Sequence, residues 1–164
     1  MSNIIFKDYP EFKPTLTPRE IIEQGSFGGT YWRPICSSIT GKCYKDEYKK
    51  LPRSYWVGIP LNKMTNSWED YDKNINKYGV KVGTTLEYWE KNKWITKYDP
   101  YGQYQWYCHF YYGRRTPDDK RQINRWLGIK NRFLKRLKKL ISEGKDSPKI
   151  RQTLLHWGID TGNI

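Results

Sequence analysis

Aromatic side chains limit what this chain can fold into more than any other feature. The 164 residues include 8 Trp, 14 Tyr and 5 Phe but no Ala, and the mean hydropathy is −0.94. A core must therefore be built largely from rings, whose polar edges need water or a hydrogen-bond partner. The length suffices for one domain with a buried core, and a chain this rich in rings is not typical of disorder.

Three segments carry the boundary signals of helices. Each begins with a hydroxyl residue followed by proline, and each ends near a glycine, which is the pattern of an N-cap, a first helical turn and a C-terminal stop. The expected helices start at Thr17, Thr116 and Ser147 and end at Gly25, Gly128 and Gly158.

The rest of the chain predicts a mainly α protein in which a few short strands are allowed. We expect a compact domain of about six helices, joined by long aromatic-rich loops, over residues 17–164, preceded by an extended arm over residues 1–16. Rings distributed all around the segment 100–112 indicate a central helix that is contacted on several sides. Further predictions are helices over 85–94 and 44–51, a strand over 78–82, and ordered loops over 26–43 and 52–84.

Positive charge is concentrated near the C-terminus. Residues 114–151 hold 14 basic and 4 acidic side chains, whereas residues 1–113 hold 16 and 12. Such a concentration attracts a polyanion, and nucleic-acid phosphate is the common one in a cell. A solvated face without a partner is the plain alternative.

The segment 129–141 is amphipathic, so packing of its apolar side turns its basic side outward. The sequence thus predicts phosphate contacts from a basic helical part over 113–157, with little sequence specificity. Gly113, just before a helix N-terminus, belongs to a turn that can hold an anion. The candidate phosphate-binding residues are Arg114, Arg115, Lys120, Arg121, Arg125, Arg132, Lys135, Arg136, Lys139 and Arg151.

Rings beside basic residues can stack on unpaired bases, and the candidates are Tyr31, Trp32, Tyr55 and Trp56. Burial in the core is the alternative for each of them. The segment 25–30, Gly-Ser-Phe-Gly-Gly-Thr, can cradle phosphate through its backbone amides, but it lacks the P-loop ending, which favours a sharp turn after a helix.

Two other functions fit the same composition. A nucleic-acid-processing enzyme, of the glycosylase or nuclease type, would need a ring-lined pocket beside the basic face, with buried acids or histidines. Asp99, Asp118 and Asp119 are more simply explained as helix-terminal acids, and His156 as a core histidine. A virion or genome-packaging component would meet the genome or an acidic protein partner. No catalytic residue is identified.

Metal and membrane sites are not predicted. Cys36, Cys43, Cys108 and His109 would offer four donors, but their spacing matches no usual zinc pattern, and three cysteines do not suggest a disulfide framework, so buried thiols are expected. No cofactor is implied. The absence of a long apolar run and of signal-peptide features predicts an intracellular protein, in the nucleus, the cytoplasm, a viral factory or a virion, without a membrane partner.

Several long tryptophan-rich phrases are distinctive, among them Gly29-Thr30-Tyr31-Trp32-Arg33-Pro34, Gln105-Trp106-Tyr107 and Leu154-Leu155-His156-Trp157-Gly158. Through these phrases the chain resembles, over almost everything after residue 16, an uncharacterised family found in giant DNA viruses, algae and fungi. The resemblance implies a viral origin, and it implies no activity and no catalytic residues.

Overall fold

The computed structural model of the protein describes residues 4–164 and is mainly helical, with 44% helix and 4% strand, which confirms the predicted fold class. The α-helices are α1 (Pro18–Gln24), α2 (Leu86–Lys91), α3 (Gln103–Tyr111), α4 (Asp119–Ser142) and α5 (Pro148–His156). Two short strands, β1 (Ile35–Cys36) and β2 (Cys43–Tyr44), pair antiparallel.

The boundaries of α1 and α5 follow the predicted signals. The Thr17 hydroxyl accepts a hydrogen bond from the Glu20 N–H at 3.2 Å, and the Glu20 carboxylate accepts one from the Thr17 N–H at 2.9 Å. The Ser147 hydroxyl accepts a bond from the Ile150 N–H at 3.2 Å, so it caps α5.

α4 is one continuous helix of 24 residues, so the predicted division at Gly128 is wrong. Gly128 has ordinary helical geometry, and good helix formers flank it on both sides. A helix-interior glycine costs about 1 kcal/mol relative to alanine. Burial of Trp126 and Leu137 on one side of α4, before and after the glycine, outweighs that cost.

α3 is the central helix that the ring pattern predicts. Tyr104, Trp106, Tyr107 and Phe110 are each 2% exposed or less. Their polar edges are satisfied inside the core: the Tyr104 hydroxyl donates to the Pro18 carbonyl at 2.6 Å, for example.

The described part of the predicted arm, residues 4–16, has irregular backbone but contributes Phe6, Phe12 and Leu16 to the core. The Phe12 ring lies 5.4 Å from the Trp106 ring and 5.0 Å from the Trp126 ring, so this segment joins α3 to α4. The first three residues of the predicted arm lie outside the described residues.

Other local predictions need correction. The segment 78–82 forms no strand, the predicted helix over 44–51 shrinks to a 3₁₀ turn at Glu47–Lys50, and the long loops contain further 3₁₀ turns. Hairpin pairing places Cys36 opposite Cys43, and the two are joined in a disulfide while Cys108 stays free and buried. The expectation of buried thiols is therefore wrong for the first two cysteines, because the hairpin brings their side chains together across the strand pair.

Candidate nucleic-acid interface

The clearest basic surface is one side of the C-terminal half of α4. Its members, which we call the α4 basic face, are exposed and form no ion pair with any carboxylate among residues 4–164. At 100° per residue they fall within one sector of the helix, opposite the buried Leu137 side chain. The α4 basic face consists of Arg132, Lys135, Arg136 and Lys139.

Arg114 does not belong to an open surface. Its guanidinium binds both oxygens of the Asp99 carboxylate, at 2.8 and 2.6 Å, and Asp99 is 1% exposed. The His109 Nδ1 atom lies 2.7 Å from the same carboxylate. Asp99 is therefore the centre of a buried polar cluster rather than the simple helix cap that the sequence suggested.

Three further arginines from the predicted set are also paired with aspartates. These pairs compensate charge that the sequence assigned to phosphate binding, so fewer of the predicted basic side chains are free to meet phosphate than expected. The pairs are Arg115 with Asp8 at 2.7 Å, Arg121 with Asp118 at 2.5 Å, and Arg151 with Asp146 at 2.8 Å. Lys120 is exposed but lies to one side of the α4 basic face.

The turn before α4 is not an open anion site. The Asp119 carboxylate accepts bonds from the Thr116 N–H at 2.9 Å and from the Trp106 indole N–H at 2.8 Å. Asp118 lies beside it at the N-terminus of α4, so two carboxylates already complement the helix dipole, as the helix-terminal interpretation predicted.

The glycine-rich segment 25–30 is a sharp turn, as the sequence favoured. Its amides are used internally: the Gly28 N–H donates to the Asn76 side chain at 2.7 Å, and the Gly29 N–H donates to the Ser26 carbonyl. A side chain at Gly25 would collide with the Ile75 carbonyl, so close packing explains the glycine there.

Two of the four predicted stacking rings are closed to bases. Tyr31 and Trp32 are 3% and 2% exposed, so their assignment as stacking rings is wrong. Tyr55 and Trp56 are half-buried against Tyr111 and Tyr48, away from the cavity described next. Tyr31 and Trp32 pack in the core against the Tyr104 ring of α3, with ring centres 4.9 and 6.1 Å away.

A cavity of about 620 Å³ opens beside α4, and we call it the α4 cavity. It lies where α2, α3, α4 and α5 converge, and its volume is within the range of about 300–1,000 Å³ that small-molecule sites occupy. Its aromatic walls include Phe27, Trp89, Trp94, Tyr104 and Trp157, and α4 contributes Arg125, Gly128 and Arg132.

Arg125 lies between two of the cavity's tryptophans. Its guanidinium carbon is 5.4 Å from the centre of the Trp94 ring and 5.2 Å from that of the Trp157 ring. Burial, followed by the nearby charge of Arg121, lowers the pKa of Arg125 to about 10, so the side chain is still charged at neutral pH. No carboxylate in the described chain pairs with it.

His156, another residue lining the cavity, has a structural role as predicted. Its Nε2 atom accepts a hydrogen bond from the Phe27 N–H at 3.1 Å, and its ring stacks on the Phe27 ring at 4.1 Å. Burial lowers the pKa of His156 to about 3, so the imidazole is neutral and carries its proton on Nδ1.

The sequence missed the three tryptophans of the α4 cavity as members of a site. One signal was available: Gly128 interrupts a strong helical pattern between Arg125 and Arg132, where alanine would favour the helix.

Groups of three or more potential metal ligands are not found in the described chain. No helix over residues 4–164 has both the length and the apolar character of a membrane span. Comparisons with protein-family models, with curated proteins and with solved structures found no match for this chain.

Proposed function

We propose that this protein binds nucleic acid through the phosphate backbone, using the α4 basic face and Arg125. The observation that carries the proposal is a row of unpaired cations on one side of a rigid helix. From residue 125 to residue 139 this row extends for about 21 Å, which is long enough to meet several consecutive phosphates. Contacts of this kind position a strand but do not read its sequence.

The pairing of other arginines supports this location. Arg114, Arg115, Arg121 and Arg151 are bound to aspartates, whereas the cations of the α4 basic face have no such partner in the described chain. Placing a phosphate on an unpaired guanidinium breaks no existing ion pair, so binding there is favoured.

The test is a salt titration of binding with two variants of equal net charge. One replaces Arg132, Lys135, Arg136 and Lys139 by alanine; the control replaces the exposed Lys7, Lys13, Lys42 and Lys45 by alanine. Loss of four phosphate contacts should reduce the slope of log K against log salt by about 3 for a single strand. The control should keep nearly the wild-type slope, and equal slopes for the two variants would contradict the proposal.

A processing enzyme is the second candidate, because the α4 cavity is a concave, ring-lined site beside the basic face. The Nε2 atom of His156 is occupied in the cavity wall, and no carboxylate is among the described lining residues. Binding is therefore the better supported function. Incubation with labelled damaged and undamaged strands, with and without divalent metal, tests for turnover directly.

A further inference from the structure

We propose that the α4 cavity holds one unpaired nucleobase of a strand whose phosphates lie on the α4 basic face. This inference rests on the proposed function and adds a ligand class to it: single-stranded nucleic acid, or a duplex with an extruded base.

The walls of the cavity have the chemistry that a nucleobase needs. Trp89 and Trp157 are half-buried and Trp94 is 36% exposed, so their rings border the cavity without being sealed in the core. Indole faces stack on any base, and such stacking requires no particular sequence.

Positive charge also lies at the cavity. Arg125 lies between two tryptophan rings, and Arg132 belongs to both the cavity lining and the α4 basic face. A purely apolar ligand would offer no counter-charge to either guanidinium group, and neither pairs with a carboxylate in the described chain. In a base attached to a phosphodiester, the base can stack on the rings while the phosphate pairs with the guanidinium groups.

Gly128 lines the cavity between these two arginines. A Cβ atom at this position would meet no protein atom within 4 Å, so protein packing does not require the glycine. Glycine in a helix interior is unfavourable relative to alanine, and close approach of a ligand to the α4 backbone accounts for its presence.

The cavity also offers polar groups for the edge of a base. The Gln103 amide and the Thr84 hydroxyl line it, and neither has a hydrogen-bond partner in the described part of the chain. These groups can donate to and accept from a base edge, as side chains do when they bind splayed single-stranded bases.

The experiment compares two strands of about 12 nucleotides with the same phosphates, one with bases and one made entirely of abasic residues. The protein variants are Gly128→Leu, which places a bulky side chain at the α4 wall of the cavity where a base would lie, and Asn131→Leu, which adds the same side chain to an exposed position of α4 outside the cavity. Urea unfolding verifies that both variants fold.

Wild type should bind the normal strand at least about tenfold more tightly than the abasic one, which is the loss expected for one stacked base. Gly128→Leu should bind both strands with the affinity that wild type has for the abasic strand. Asn131→Leu should behave as wild type. Equal affinity of wild type for the two strands would contradict the proposal that the α4 cavity holds a base, even if the salt slope still supports phosphate binding. Competition by free adenosine monophosphate as strong as that by the normal strand also overturns it, because the occupant would then be a mononucleotide.

Discussion

At the scale of single residues, the partner of each arginine decides what it can do. Arg114 and Arg115 are neighbours in the sequence, yet Arg114 binds the buried Asp99 and Arg115 binds the exposed Asp8. Asp99→Asn removes a buried partner and should lower the free energy of unfolding by about 3–5 kcal/mol.

Urea unfolding measures this loss, with Asp8→Asn as the matched control. Because the Arg115–Asp8 pair is solvated, its removal should change stability far less. Equal losses from the two variants would show that Asp99 is not the centre of a buried cluster.

His156 makes stability depend on pH in a defined direction. Its pKa falls from an ordinary 6.5 to about 3 on folding, so below pH 6.5 the unfolded chain binds a proton that the folded chain does not. This contribution is complete above pH 6.5 and is lost as the pH falls towards 3. Between pH 7 and pH 5 it amounts to about 2 kcal/mol.

His156→Gln keeps an acceptor near the Phe27 N–H but cannot titrate. Chemical unfolding at pH 7 and pH 5 should therefore show a loss about 2 kcal/mol larger for wild type than for the variant. If the free energy of unfolding fell equally with pH in wild type and in the variant, His156 would be protonated within the folded protein.

At the scale of elements, the sequence predicts what local chemistry determines. The caps of α1 and α5 lie within three residues of the groups they satisfy, so Thr17 and Ser147 identify both helix starts. The continuity of α4 depends instead on Trp126 and Leu137, which are buried against distant parts of the chain. The presence of Gly128 alone predicted that the helix would end there. The hairpin of β1 and β2 is too short for alternation to reveal it.

Gly128→Ala tests whether the glycine at the cavity wall makes α4 less stable than alanine would. The added methyl group meets open space, so helix propensity should raise the free energy of unfolding by about 0.5–1 kcal/mol in a urea titration. Affinity for a single strand should fall at the same time, although less than with Gly128→Leu. A variant that is destabilised would show that Gly128 is needed for folding and not for a ligand.

At the scale of the whole molecule, the candidate site combines a predicted and an unpredicted part. The amphipathic pattern of 129–141 correctly predicted that Arg132, Lys135, Arg136 and Lys139 are exposed. The pairing of Arg115 with Asp8 links residues 107 positions apart, and the α4 cavity combines segments from residue 27 to residue 157. Sequence patterns carry little information about such distant contacts, which is why the basic region looked larger and the residues that line the cavity could not be named.

The most direct test of the central claim is to map amide chemical shifts of the ¹⁵N-labelled protein as a single strand of about 12 nucleotides is added. We expect the largest shift changes in residues 125–139 of α4 and in the walls of the α4 cavity. Shifts concentrated at Arg114, Arg115 or the β1–β2 hairpin, with α4 unchanged, would contradict the central claim.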